Sequence, residues 1–276
     1  MDAELEARKV ALLAECRVDS RVFEQVLPRL ESFMEPFVDS LVRREQCEHA
    51  VKFVCGLLSD LEHKNVESIA DRFGEERLPL QWFIGTSEWD DEPLRDELVR
   101  EVAAELGDPG AVLVFDPSAF AKSGRESVGV ARQWCGRLGK LDPPSADQVG
   151  VDLGDVSKHE EVLVDQRLSL PKELSLPKEW TTDKKRCRKA GVPKSRQRHR
   201  TRHALCWEML RQRGPQLPHA WIAGDDEMGR PYAFRRDLQE MQERYLLAVP
   251  SNTLIRDLEV DAPTSSGPGR PRQRPW

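Results

Sequence analysis

Ala111 to Asp116 reads AVLVFD and is followed by Pro117-Ser118-Ala119-Phe120-Ala121-Lys122-Ser123-Gly124. Four apolar residues and an aromatic are cut short by a carboxylate. Such a run, bounded by turn residues, predicts a buried strand. It puts Asp116 at the carboxyl end of a central strand, where open α/β sheets hold ligands. His219 to Asp225, HAWIAGD, has the same form and leads into Asp226, Glu227, Met228 and Gly229. Two strands that each deliver a carboxylate at one end have the chemistry to hold a divalent metal beside a phosphate. Each acid also has a plainer reading. Asp before Pro is a common turn former, and Asp225 is a candidate helix cap, with Asp226 as a competing ligand.

Working outward, the helical and strand-like patterns separate at Gly107-Asp108-Pro109-Gly110. Before it, Phe23, Val26, Leu27, Leu30, Phe33 and Phe37 recur at helical spacing, as do Ala50, Val54, Leu57, Leu58 and Leu61 on a segment ending near Lys64-Asn65. Asp90-Asp91-Glu92-Pro93 predicts a helix start, continued by Leu94, Leu98, Val102 and Leu106. Trp82, Trp89 and Trp134 are expected in or near the core. After the break, Glu126 to Cys135 predicts a second strand. Gln148 to Leu153 and Glu161 to Gln166 supply a third, or a third and a fourth, in an antiparallel meander. SLPKE stands at Ser169 to Glu173 and again at Ser175 to Glu179, too short for a structural repeat. Ser195 to Arg213 predicts a helix with Ala204, Leu205, Met209 and Leu210 on one face. A helix from Pro231 and a strand from Tyr245 to Val249 follow Asp225. The Pro-, Gly-, Ser- and Arg-rich tail, 261–276, reads as linker or disorder.

The 276 residues suffice for one large domain or two ordinary ones, and no apolar run approaches membrane-spanning length. The six cysteines form no C-x-x-C pair, which fits reduced thiols in a cytoplasm. A net charge of −6 does not by itself suggest nucleic acid, but the distribution does. Lys184 to Arg213 holds twelve Lys/Arg and one Glu, against an acid-rich first hundred residues. Lys184, Lys185, Arg186, Arg188, Lys189, Lys194, Arg196, Arg198, Arg200 and Arg202 fit a phosphate-contacting surface; a solvated charged face is the plainer alternative. Lys122 and Arg125, just after Asp116, are candidates to reach a scissile phosphate. His199 and His203 sit among arginines that would repel a cation, so they are read as non-zinc.

The order strand-with-Asp, two or three strands, helix, strand-with-Asp, helix, strand resembles the ribonuclease-H-like core of DDE transposases. Phe115 to Gly124, then Ser127-Val128-Gly129-Val130-Ala131-Arg132-Gln133-Trp134-Cys135-Gly136, resembles the first catalytic block of bacterial insertion-sequence transposases in the DDE endonuclease superfamily. Trp221-Ile222-Ala223-Gly224-Asp225, with Gly229 four residues on, is similar to the second. Phe53 to Ala70 resembles the helical region that precedes their core. The resemblance spans roughly residues 20 to 260. It implies an α+β or α/β fold: an amino-terminal all-helical region, 1–108, for DNA binding or oligomerisation, then a partial ribonuclease-H-like mixed sheet with helices, 109–260, carrying a basic insert, 180–213. It further implies Asp116 and Asp225 as catalytic, metal-ligating residues, Mg²⁺ or Mn²⁺ as cofactor, and double-stranded DNA of transposon ends and target as partner. Self-association and a bacterial cytoplasmic, nucleoid-associated location follow from the same resemblance, with no membrane.

Two departures shape the expected activity. The family's third carboxylate, a Glu on a later helix, has no assigned counterpart among Glu227, Glu240, Glu243 and Glu259. The stretch from Leu141 to Glu161 differs from the family's compact form, and Asp152 and Asp155 place acids in a strand expected to be buried, costly unless paired. Together with the SLPKE duplication, this points to a carboxyl-terminally truncated or decayed copy with weak or no strand transfer. The alternative function is a non-catalytic DNA-binding protein, or one interfering with an intact transposase. A metal-dependent nuclease of another lineage, taking its third acid from Asp152, Asp155 or the 227–243 helix, also fits the residues, as does a remnant with no role.

Overall fold

The computed structural model describes residues 7, 8, 10, 11, 21–122, 127–130, 146–169, 183–192, 194, 197 and 200–253. After a single helical turn, Arg21–Glu24, come α1 (Val26–Val38), α2 (Arg44–Leu58), α3 (Val66–Arg72), α4 (Arg77–Gly85) and α5 (Glu92–Glu105). Their starts follow local chemistry. Asn65 accepts the Ser68 N–H at 2.9 Å and opens α3. Glu92 donates its N–H to Asp90 Oδ1 at 3.1 Å as α5 begins, with Pro93 in its first turn. The helix expected to run to Lys64 stops at Leu58, which is left exposed together with Leu57. The α3–α4 turn needs a left-handed residue, and Gly74 supplies it at φ 67°. Ile69, Ala70, Leu80, Phe83 and Leu41 form the core of this helical layer. Trp89 joins it, stacked on Phe83 and donating its indole N–H to the Phe83 carbonyl at 3.1 Å. Trp82 does not: Leu80 and Phe83 point α4 inward, so Trp82 lies 59% exposed.

The sheet is mixed, in the order β3-β2-β1-β4-β5. Its strands are β1 (Val112–Lys122), β2 (Ala146–Val156), β3 (Glu161–Ser169), β4 (Trp221–Gly224) and β5 (Tyr245–Leu247). β1, β2 and β3 pair antiparallel; β4 runs parallel to β1, and β5 to β4. This is a ribonuclease-H-like arrangement. The expected meander is present, but its middle strand is β2. Of the strand expected over Glu126 to Cys135, residues 127–130 form a turn with Gly129 at φ 75°, and the rest lies outside the described residues. The SLPKE copies lie outside them too, apart from Ser169 at the end of β3, as do Trp134 and the 261–276 tail. Between β3 and β4 stand α6 (Lys184–Lys189) and α7 (Arg202–Arg213). The latter begins later than Ser195, at Thr201, whose hydroxyl accepts the Ala204 N–H at 3.1 Å. After β4 come α8 (Asp226–Gly229) and α9 (Tyr232–Glu240). No helix among the described residues is long and apolar enough to cross a membrane.

Strand alternation sorts the sheet into two faces. Leu113, Phe115, Val151, Leu153 and Ile222 point into the main core, where they meet Val99 and Val102 of α5, Leu205, Met209 and Leu210 of α7, and Phe234 and Leu238 of α9. On the other face, by the same alternation, lie Asp116, Ser118, Phe120, Asp152 and Gln166. A buried ionic knot ties helix to sheet on the core side. Arg213, 2% exposed, reaches Asp165 of β3 at 3.2 Å, Glu92 of α5 at 2.6 Å, and Asp96. Arg95 and Arg167 also hold Asp165, at 2.9 and 3.1 Å.

Candidate active site

β1 does not end at Asp116. It continues through Pro117 to Lys122 against β2. What ends there is its pairing with β4, whose last matched residues are Phe115 and Gly224. From Pro117 onward, among the described residues, β1 has a strand on one side only, an edge position that tolerates a residue without an N–H. Asp116 and Asp225 thus stand one residue past the last matched pair on two adjoining parallel strands.

Asp225 is also a cap: its Oδ1 accepts the Met228 N–H at 3.1 Å, which fixes the carboxylate at the start of α8. The cap and ligand readings are therefore compatible. Asp226 turns away to Arg230 at 3.2 Å. Gly229 has a packing reason: a Cβ there would collide with the Ala248 carbonyl oxygen after β5.

Two further acids stand near. Asp152 of β2 lies directly across the ladder from Asp116. Glu227 of α8 receives Arg202 Nη1 on both oxygens, at 2.5 and 2.6 Å. The Asp116 carboxyl is held above the ordinary carboxylate range, first by partial burial and then by the charges of Asp225, Asp152 and Glu227. Asp155 is elsewhere. It pairs with Leu113, is 6% exposed, has no hydrogen-bond partner for Oδ2 among the described residues, and is raised chiefly by burial. Glu240 pairs with Arg236 at 3.4 Å and Glu243 with His219 at 3.3 Å; Glu259 lies outside the described residues.

The basic residues divide. Lys184, Lys185, Arg188, Lys189 and Lys194 are exposed on or just after α6, with Arg186 half-buried on the same helix. Asp183 caps that helix, accepting the Lys185 and Arg186 N–H groups. Cys187 and Val192 pack with Val128 and Ala190, and Gln148 donates to the Val128 carbonyl at 2.6 Å, so α6 is seated near the Phe120 end of the β1–β2 ladder. Lys122 closes β1. Arg200 pairs with Glu208, and Arg202 reaches the acidic site through Glu227. Arg125, Arg196, Arg198, Trp180 and His199 lie outside the described residues. His203 places Nε2 on the Glu227 carbonyl at 2.9 Å. The sequence alone does not reveal the Arg202–Glu227 pair or the Gln166–Asp152 hydrogen bond, because both depend on register and long-range packing.

Hard oxygen donors, two on adjoining strand ends, suit a divalent ion that takes few carboxylates and completes its shell with water and phosphate oxygens. Among the described residues no group of three or more His, Cys, Asp or Glu side chains stands ready to hold an ion. Fold and carboxylate pair together define the class: a ribonuclease-H-like protein with one acid on the first strand and one just past the fourth. The chain belongs to the DDE superfamily endonucleases, whose family model matches residues 36–275. It is 34% identical over 88 residues to a probable transposase for insertion sequence element IS701 of Microchaete diplosiphon. That match covers 32% of this chain, and the chain spans about a quarter of the relative's length, 23%.

Proposed function

We propose that this chain works in DNA transposition, in metal-dependent cleavage and strand transfer at insertion-sequence ends, with Asp116 and Asp225 as the catalytic, metal-ligating carboxylates. The observation that carries the reading is their placement side by side past the last β1–β4 pair, where the charge of Asp225 adds to the cost of ionising Asp116. Mg²⁺ or Mn²⁺, when bound, would polarise phosphoryl oxygens and activate water or a DNA 3′-hydroxyl. The chain's own residues hold and orient. Asp225 is fixed by its cap on α8, Arg202 balances Glu227 beside the site, and Lys122 with the exposed cations of α6 offers a phosphate-binding track. Arg125, Arg196, Arg198 and Arg200 are proposed for the same track.

The working division is a helical region, 1–108, a catalytic core, 109–260, with the basic insert 180–213, and a tail, 261–276. The first is assigned to DNA binding or oligomerisation; α3 and α4, two short helices joined by a turn at Gly74, are compatible with the former. An open apolar groove of about 560 Å³, lined by Leu27, Phe33, Leu58 and Phe73 among others, favours self-association there. A second reading, a DNA-binding protein without strand-transfer activity that interferes with an intact transposase, is favoured by one observation: among the described residues no third acid joins Asp116 and Asp225 in a ready ligand group, and Glu240 and Glu243 pair with Arg236 and His219.

Nicking of supercoiled plasmid in Mg²⁺ or Mn²⁺ separates the two. Cleavage falling by orders of magnitude in Asp116→Asn and in Asp225→Asn supports the first, because ligands of one centre act as a unit. Cleavage unchanged by both substitutions overturns it. Salt-sensitive DNA binding without cleavage supports the second, with a log–log salt slope that flattens by about 0.9 for each α6 cation whose neutralisation frees a phosphate.

A further inference from the structure

We infer that Asp152 is a further carboxylate ligand of the metal centre and that Gln166 is the residue that positions it. The inference rests on the reading of Asp116 and Asp225 as ligands. It begins from the ladder: Asp116 and Asp152 are matched residues on neighbouring antiparallel strands, so their side chains share one face. Cβ atoms of matched residues stand about 4.5–5.5 Å apart, and like charges so placed destabilise a sheet. Two neighbouring acids are balanced: Glu227 has Arg202 and Asp226 has Arg230, while Asp225 is held by its cap on α8. Asp116 and Asp152 enter no ion pair among the described residues. Asp152 has the neutral amide of Gln166, whose Nε2 donates to its Oδ1 at 2.6 Å. Opposed carboxylates of this kind are stable when a cation joins them. As placed, Asp116, Asp152 and Asp225 form no ready-made ligand group, so the Asp116 and Asp152 side chains must turn toward one ion.

Gln166 is itself a built feature. It is the β3 residue matched to Asp152, and its side chain lies over Gly150, where a Cβ would sit 3.4 Å from its Nε2. Its carbonyl accepts Arg95 Nη1 at 3.2 Å, and Arg95 is anchored on buried Asp165 at 2.9 Å. The glycine floor and the anchored backbone fix the amide that holds one oxygen of Asp152, leaving the other for a ligand. An outer amide that orients a ligating carboxylate is the ordinary companion of such a centre.

The test is Mn²⁺ titration by calorimetry on the full chain, with melting curves with and without Mn²⁺, for the unsubstituted chain and for Asp116→Asn, Asp152→Asn and Gln166→Leu. The expected result is loss of binding in Asp116→Asn and binding weakened by about 10- to 100-fold in Asp152→Asn and Gln166→Leu. Without metal, Asp152→Asn melts higher than the unsubstituted chain because the cross-strand repulsion is gone, and its Mn²⁺-induced rise in Tm shrinks. A purely structural Asp152 would give the reverse pattern, a lower metal-free Tm with Mn²⁺ affinity unchanged, and would overturn the inference. Mn²⁺ binding lost in Asp116→Asn but retained in Asp152→Asn overturns it while leaving the Asp116–Asp225 centre standing. No binding by the folded, unsubstituted chain overturns that centre and this assignment together.

Discussion

At Asp116 the carboxylate is opposed by its own surroundings. Partial burial and three neighbouring acids raise its pKa, so its protonated form is favoured in the folded chain relative to the unfolded one. The pH dependence takes its sign from that direction. This group's stabilising contribution is full below the ordinary carboxylate value, about 3.9, and is lost as pH rises through the higher folded value. Asp116→Asn should therefore raise the Tm of the metal-free chain at pH 7 and leave it nearly unchanged at pH 3. An Asp116→Asn chain that melts lower at pH 7 would remove the picture of crowded, unbalanced acids. This residue was legible in the sequence because an apolar run ending on a carboxylate needs no long-range information. Asp152 was legible as an acid in a strand, but not as a partner of Asp116. A shift of one residue in register would turn it to the other face, and register is set by the whole ladder.

Among the elements, β4 and α8 show how a short motif acts. The tetrapeptide strand delivers Asp225, the Asp225 side chain starts α8, and Gly229 lets α8 press against the residue after β5. Gly229→Ala puts a methyl group into the Ala248 carbonyl oxygen, a backbone atom with little freedom to yield. We expect a loss of about 1–3 kcal/mol in urea unfolding, together with weaker Mn²⁺ binding as Asp225 is displaced. A urea midpoint equal to that of the unsubstituted chain would show that the close approach relaxes freely. Elements with strong periodicity or capping, such as α5 and α9, follow from their sequences. Within the strand expected over Glu126 to Cys135, Ser127 to Val130 misleads because Val128 and Val130 alternate as in a strand, whereas Gly129 takes a positive φ and turns the chain. Trp82 misleads by chemistry: an indole is large and apolar, yet helical phase put it outside.

Over the whole molecule, the ionic knot of Arg213 and Asp165 links a helix before the sheet, the strand β3 within it and the helix α7 between β3 and β4. Burial alone would raise the Asp165 carboxyl, but Arg167, Arg95 and Arg213 outweigh it and hold it low. Its stabilising contribution is thus present above the ordinary carboxylate value and lost as pH falls through the folded one. Asp165→Asn leaves Arg213 buried with less compensation and should cost about 3–5 kcal/mol, read from urea denaturation at pH 7. A cost below about 1 kcal/mol, the range of an exposed pair, would mean that Glu92 and Asp96 suffice. In the sequence Arg213 was one cation in a basic run. Nothing local distinguishes it from its exposed neighbours, because its partners lie 48 to 121 residues away.

The passage of β1 from interior strand to sheet edge at Pro117 has a consequence for breathing of the backbone. Amides at 112–115 lie between two strands, whereas among the described residues only β2 pairs with 118–122. Deuterium uptake should be slow up to Phe115 and markedly faster from Ser118 onward, a step located at Asp116. On the proposed reading, the carboxylates then stand at the seam between a stiff half-sheet and a looser arm, and one side of the proposed centre would adapt to a strand of DNA while the other keeps its geometry.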